Sequence, residues 1–256
     1  MVKLVSANLS DIGSKRKINE DTCFSSDELG LYLVADGMGG HLAGEVASKT
    51  AIEQITKFSK NFLEDEEITW PFGYKSKCSV DENFFLTTIR IANSAIFKLA
   101  ESNPEFQGMG TTISGVRISS SKAVAANVGD SRIYLIRDNE LLQISEDHSW
   151  VNEQMKLNLL TEEEARNHKW KNIITRALGN KNVVKIDLFK IDLQKDDMIL
   201  ICSDGLSSMV EDHEILDIIL SNKEDLNKCC EQLIDTANNN GGNDNISVVL
   251  IKCLEI

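Results

Sequence analysis

Three apolar runs in this chain each end in an Asp joined to a Gly: Leu31-Tyr32-Leu33-Val34-Ala35-Asp36-Gly37, Ala125-Ala126-Asn127-Val128-Gly129-Asp130, and Met198-Ile199-Leu200-Ile201-Cys202-Ser203-Asp204-Gly205. A fourth polar turn, Gly241-Gly242-Asn243-Asp244-Asn245, runs straight into Ile246-Ser247-Val248-Val249-Leu250-Ile251. Short β-branched runs bounded by such turns read as buried strands. Each Asp then stands at the mouth of a strand, and if the strands are neighbours four carboxylates meet at one place. Taken singly, an Asp-Gly after a strand is a turn, because Asp bonds nearby backbone and Gly accepts φ > 0. Taken together, gathered carboxylates raise one another's pKa unless a cation lies among them. Only Asp130 has an arginine close by in sequence, Arg132.

The donor chemistry selects the cation. Carboxylate oxygens suit hard ions such as Mg²⁺ or Mn²⁺. His41, His148, His168 and His213 show no zinc spacing, and the six cysteines form no Cys-x-x-Cys pair. Gly37 has no side chain to keep its own carbonyl from turning toward an ion beside Asp36. A bridging Asp and such a carbonyl can hold two metals about 3.5–4 Å apart with a water between them. Upstream, Gly13-Ser14-Lys15-Arg16-Lys17-Ile18-Asn19-Glu20-Asp21 places a basic triplet beside an acidic pair. As a solvated turn this stretch needs no function. Beside a metal cluster, Arg16 is the natural bidentate partner of phosphate oxygens, and Glu20 or Asp21 can reach the cations directly or through water.

At 256 residues the chain suits one domain, 1–256, with no low-complexity linker and no internal repeat. A net charge of −13 argues against a nucleic-acid binder, which needs a Lys/Arg surplus, and no apolar run approaches a membrane span. With no signal-peptide pattern at the start and unpaired, scattered cysteines, the expected compartment is the cytoplasm. Strands are expected over 31–35, 112–118, 123–128, 132–136, 184–191, 198–202 and 246–253, and helices over 44–58, 81–102, 212–220 and 223–238. Such grouping is closer to α+β than to strict βαβ alternation. Residues 60–80 read as a loop packed by its own aromatics, and 146–182 as a polar flap between two strand ends.

The residues together resemble a known family. Arg16-x-x-Asn19-Glu20-Asp21, Asp36-Gly37-Met38-Gly39-Gly40-His41, Gly108-Met109-Gly110-Thr111-Thr112, Gly129-Asp130-Ser131-Arg132, Ser203-Asp204-Gly205-Leu206 and Gly242-Asn243-Asp244-Asn245 stand in the order and spacing of bacterial-type metal-dependent Ser/Thr protein phosphatases of the type 2C family. Asp147-His148-Ser149 and Ile174-Thr175-Arg176-Ala177-Leu178-Gly179 resemble the borders of that family's flap. The resemblance implies an α+β, four-layer αββα sandwich of two antiparallel sheets flanked by helices. It implies two divalent cations, Mn²⁺ or Mg²⁺. Asp36 would bridge both, the Gly37 carbonyl would hold one, Asp204 and Asp244 would hold one, and Glu20 would lie near the other through water. Asp130 with Asp204 would offer a weaker third site, Arg16 would bind the substrate phosphate, and Asp21 would stand behind the ligands.

Where eukaryotic relatives often carry a His directly after the Asp-Gly pair, this chain has Met38. His41 either protonates the leaving alcohol in its place or caps the helix near Gly44. The expected reaction is attack of a metal-bridging hydroxide on phosphoserine or phosphothreonine in proteins, by a monomer opposing a Ser/Thr protein kinase. The rivals are a phosphatase of a sigma-factor partner switch, a non-catalytic phosphoprotein-binding relative that would have lost a metal Asp, and a two-metal nuclease, which the acidic charge disfavours.

Overall fold

The computed structural model describes residues 2–39, 42–64 and 69–256. In chain order the strands are β1 (Lys3–Asp11), β2 (Asp21–Ser26), β3 (Leu31–Met38), β4 (Gly110–Thr111), β5 (Ile113–Ser119), β6 (Lys122–Val128), β7 (Arg132–Arg137), β8 (Glu140–Gln143), β9 (Asp187–Asp192), β10 (Met198–Cys202) and β11 (Ile246–Glu255). The helices are α1 (Ala43–Glu64), α2 (Val80–Ser102), α3 (Trp150–Lys156), α4 (Glu162–Arg166), α5 (Asp204–Ser207), α6 (Asp212–Ser221) and α7 (Leu226–Asn239). One sheet runs β1-β11-β10-β7-β8, the other β2-β3-β5-β6-β9 with β4 added against β3. Every one of these pairings is antiparallel.

Strand periodicity creates the layers. Along β3, Leu31, Leu33 and Ala35 face Ala47, Ala51 and Ile55 of α1 and Phe84, Phe85 and Ile89 of α2. Tyr32 and Val34, one residue out of phase, face the other sheet and meet Ile133, Ile199, Ile201, Val249 and Ile251. On the sheet that holds β10 and β11, Leu200, Cys202, Val248 and Leu250 point outward onto Ile215 and Ile219 of α6 and Leu233 and Ile234 of α7. The order is therefore helix, sheet, sheet, helix, as expected for a two-sheet α+β sandwich. Each fully buried Leu, Ile or Val adds about 1.5–3 kcal/mol relative to exposure.

The differences from the sequence reading have physical reasons. β1, β2 and β8 were not expected; they lie at sheet edges, half exposed, where Ser, Asn and Asp in β1 and β2 hide the alternation and β8 is only four residues long. Helix α1 runs on to Glu64, so residues 60–64 are not loop. Phe58 and Phe62, one turn apart, stack at 6.4 Å, and both rings meet Trp70 and Phe84. The loop's Trp70 thus packs on the helices as well as on Tyr74. The acidic residues 65–67 lie outside the described residues. The strand expected from 184 begins at Asp187. The helix expected from 223 begins at Leu226, because the Asp225 side chain caps it by accepting the Lys228 N–H at 3.1 Å. Among the described residues no helix is long and apolar enough to cross a membrane.

Candidate metal and phosphate site

The expected convergence occurs, but not between neighbouring strands of one sheet. β10 and β11 pair directly and bring Asp204 and Asp244 to one end of the first sheet. β3 and β6, which lead to Asp36 and Asp130, belong to the second sheet with β5 between them. The carboxylates meet where the ends of the two sheets face each other. Asp36 stands opposite Asp21 in the β2–β3 register. Its backbone is held on both sides: its N–H donates to Thr112 Oγ1 at 2.9 Å, and its carbonyl accepts from the Thr112 N–H at 2.8 Å and the Thr111 hydroxyl at 2.9 Å.

Asn245 ties the phosphate handle to this cluster. Its Nδ2 donates to the carbonyls of Ile12 and Ile18, both at 2.9 Å, and its Oδ1 accepts the Glu20 N–H at 2.8 Å. Ser14 and Lys15 both donate their N–H groups to the Gly242 carbonyl, at 2.9 and 3.1 Å. Gly13 closes the turn at φ +77°, and a Cβ there would overlap the Asp244 carbonyl. The loop therefore carries Arg16 to within 2.6 Å of Asp244 Oδ2.

The electrostatics are those of an anion cluster short of positive charge. Burial, then the charges of Asp21 and Asp204, hold the Asp36 carboxyl well above the ordinary carboxylate range. Burial, then Asp204 and Asp147, do the same to Asp130, against the pull of Arg132. Burial and Asp244 push Asp204 up to about 6, and burial pushes Asp21 up to about 7 although Ser203 Oγ donates to it at 2.8 Å. Glu20 is raised by burial, partly offset by the Gly44 backbone and Arg16. Asp36 and Asp204 each perturb the other's proton affinity, and carboxylates so placed favour a proton or a cation between them. Glu20 Oε1 and Asp21 Oδ1 are buried and, among the described residues, accept no hydrogen bond. An unpartnered buried carboxylate oxygen is costly unless something cationic reaches it.

Hard oxygen donors with orphaned lone pairs fit divalent cations of the Mg²⁺ or Mn²⁺ kind. Among the described residues no three His, Cys, Asp or Glu side chains are closed about one point as a finished cage. Asp244 is turned to Arg16, so the ligands are gathered without being wrapped around an ion. Beside the cluster opens a cavity of about 720 Å³ with Asp130 and Asp204 on one side, Met155 and Arg166 of the flap on another, and Ser208 and Asp212 beyond. The flap carries α3 and α4, and Arg166 pairs with Glu211 across the cavity.

Thus Asp36, Gly37, Asp204, Asp244, Glu20, Arg16 and Asp130 border one region, while His41 lies outside the described residues. Sequence reasoning overlooked Asn245 as a latch, the Thr111–Thr112 grip on Asp36, and the Ser203 bond to Asp21. It also overlooked Asp187, which meets His148 only in the fold. A polar residue immediately beside each strand-end Asp was the available signal for Asn245 and Ser203.

Comparison with known proteins agrees with the geometry. The model of the family described as Protein phosphatase 2C matches residues 9–246. The chain is 39% identical over 249 residues to the Serine/threonine phosphatase stp of Listeria welshimeri, spanning 95% of this chain and 93% of that protein. Among solved structures it is similar to the Mycobacterium tuberculosis serine/threonine phosphatase PstP/Ppp, with a TM-score of 0.86, 33% identity and full coverage of both chains. It is also similar to the catalytic domain of the serine threonine protein phosphatase PstP in complex with 2 manganese ions, at TM-score 0.84, 32% identity and full coverage of both. The chain belongs to the protein phosphatase 2C family of metal-dependent enzymes, and it is a bacterial-type Ser/Thr protein phosphatase.

Proposed function

We propose that this phosphatase hydrolyses phosphoserine and phosphothreonine in proteins without a covalent intermediate, using two divalent cations held by Asp36, the Gly37 carbonyl, Asp204 and Asp244, with Glu20 one water away. The observation that carries this reading is the union of mutually repelling carboxylates, two orphaned buried carboxylate oxygens and one arginine at their rim. Bound Mn²⁺ or Mg²⁺ supplies positive charge against the phosphoryl oxygens and an activated water as nucleophile. Asp130 with Asp204 offers a third, weaker cation site.

The chain's own residues supply the rest. Arg16 presents a planar donor fork suited to two phosphate oxygens. With Asp244 engaged elsewhere, its guanidinium is free to take them. His41 donates the proton that the departing seryl or threonyl oxygen needs. A cysteine route has no support: Cys202, next to Ser203 and Asp204, is buried and its thiol is pushed up to about 12, so no thiolate is at hand. The chain acts as one domain, 1–256, as a monomer in the cytoplasm, against a Ser/Thr protein kinase; similarity to serine/threonine phosphatases supports the substrate class.

Asp36→Asn and Asp204→Asn test the reading. Each is expected to lower Mn²⁺-dependent hydrolysis of a phosphothreonine peptide by about 10²–10³-fold or more and to weaken Mn²⁺ binding measured by calorimetry. Wild-type turnover in either variant would sink it.

A further inference from the structure

His148 is 3% exposed and stands at the start of the flap, outside the set of residues assigned above. It grips Gly129 twice. Its backbone N–H donates to the Gly129 carbonyl at 2.9 Å, and its ring Nδ1 accepts the Gly129 N–H at 3.0 Å. An accepting Nδ1 places the ring proton on Nε2, which donates to Asp187 Oδ2 at 3.0 Å. Arg176 Nη1 also lies 2.9 Å from that Nε2, but a protonated nitrogen cannot accept, so it donates to the same Asp187 oxygen at 3.1 Å, and Lys185 Nζ lies 3.4 Å from the other. Burial lowers the His148 pKa, and the neighbouring Arg176 adds to this against the pull of Asp187, in keeping with a neutral ring.

The knot joins three separate segments. Gly129, at φ +117°, is the residue before Asp130, so the ring fixes the turn from which the Asp130 carboxylate projects. The far end of the flap returns to the same place: the Thr175 N–H donates to the His148 carbonyl at 2.7 Å, and Ser149 bridges to Ile174. Asp187 begins β9 and pairs in register with Asn127 of β6, two residues before Gly129. Asn127 in turn donates to the carbonyls of Gly129 and Glu146 at 3.2 and 3.0 Å, from inside the same turn.

We propose that His148, oriented by Asp187 and Arg176, is a positioning residue that fixes the Gly129–Asp130 turn and thereby couples both ends of the flap to the outlying cation site of Asp130. The proposal rests on the reading of Asp130 as an outlying ligand. It differs from that reading in assigning the site's preorganisation to a ring that touches no cation. Removing such an outer support costs about 10–100-fold in metal affinity in comparable sites. His148→Asn is the discriminating variant, because its amide oxygen reproduces the Nδ1 acceptor without reaching Asp187.

The test is Mn²⁺ titration of the full chain by calorimetry, with melting temperature recorded for every variant. Wild type is expected to show two tighter binding events and one weaker. His148→Ala is expected to lose about 10–100-fold on the weak event alone. His148→Asn is expected to restore most of it. Asp187→Ala, which leaves the ring in place without its orienting partner, is expected to lose less than His148→Ala, and it replaces that variant should His148→Ala not fold. A wild-type weak event in His148→Ala or, in its place, Asp187→Ala, with the weak event lost in Asp130→Asn, overturns the inference and leaves the Asp130 reading standing. An unchanged weak event in Asp130→Asn, or none in wild type, overturns the Asp130 reading and the inference together. Equal loss of all events in a folded His148→Ala points to general loosening and also overturns it.

Discussion

Arg16 has two anions within its range, the Asp244 carboxylate it bonds at 2.6 Å and the substrate phosphate proposed for it. The two uses have opposite consequences for a truncated side chain. Arg16→Ala is expected to raise KM for a phosphothreonine peptide about ten- to a hundredfold, the loss of a charge-assisted contact worth about 1.5–3 kcal/mol. Mn²⁺ affinity should hold or rise slightly, because the pair is 47% and 32% exposed and competes with a cation for Asp244. A fall in Mn²⁺ affinity would instead make Arg16 a support of the cation site. His41→Ala is expected to lower turnover of a phosphopeptide more than that of an aryl phosphate, whose phenolate leaves without a proton; equal losses in steady-state assays would remove His41 from acid catalysis. At this scale the sequence was informative wherever a functional residue closes a strand, as Asp36, Asp130, Asp204 and Asp244 do. It did not show the partners of Asn245 and Asp187, which are Ile12, Ile18 and Glu20 in one case and His148 in the other, brought near only by the fold.

At the scale of elements, the site depends on how loops are fastened to strand ends. Asn245 satisfies three backbone groups of the 12–20 loop from the first residue before β11. Asn245→Ala leaves those part-buried groups without their partner and should cost about 1–3 kcal/mol, read as a lower melting temperature. It should also raise KM through a slack Arg16 loop; an unchanged KM would mean the loop holds its shape without the latch. Gly205 is constrained more severely, since a Cβ would overlap the Asn245 carbonyl. Interior strands and long helices were readable because a buried strand or an amphipathic helix repeats one pattern several times. The edge strands β1, β2 and β8 were not, because one exposed flank lets polar residues break the period. The flap's outline was visible as a polar stretch, but its anchoring was not. The Leu178 N–H and carbonyl pair with Thr111, the residue whose hydroxyl holds the Asp36 carbonyl, and although both stand in recognised motifs nothing in sequence pairs them.

For the molecule as a whole, the carboxylate cluster sets how stability varies with pH. Asp21 and Asp204 keep protons in the fold up to about 7 and 6 against an ordinary 3.8, and Asp36 and Asp130 shift the same way. The folded chain then binds more protons than the unfolded chain between about pH 4 and 7, so without metal its stability should fall as pH rises through that window. Glu20 adds to these four, while His148, Asp187, Glu82, Glu164 and Glu224, all lowered, act in the opposite sense by smaller shifts. Melting curves in chelator from pH 4 to 8 should show the decline. Saturating Mn²⁺ should remove it and add about 2.7 kcal/mol at a hundredfold excess over its dissociation constant. A melting temperature that climbs with pH in chelator would contradict the electrostatics described above. The sheet order has a further consequence, for biosynthesis. β1 hydrogen-bonds to β11 alone among the described strands, and Asp36 faces Asp204 and Asp244 across more than half the chain. During synthesis β1 must wait without a sheet partner until the intervening chain and β11 itself have left the ribosome. A nascent chain stalled before Asn243 would carry Asp36, Asp130 and Asp204 but neither Asp244 nor the partner of β1, so the carboxylate site is completed only when the segment that closes the first sheet has been made.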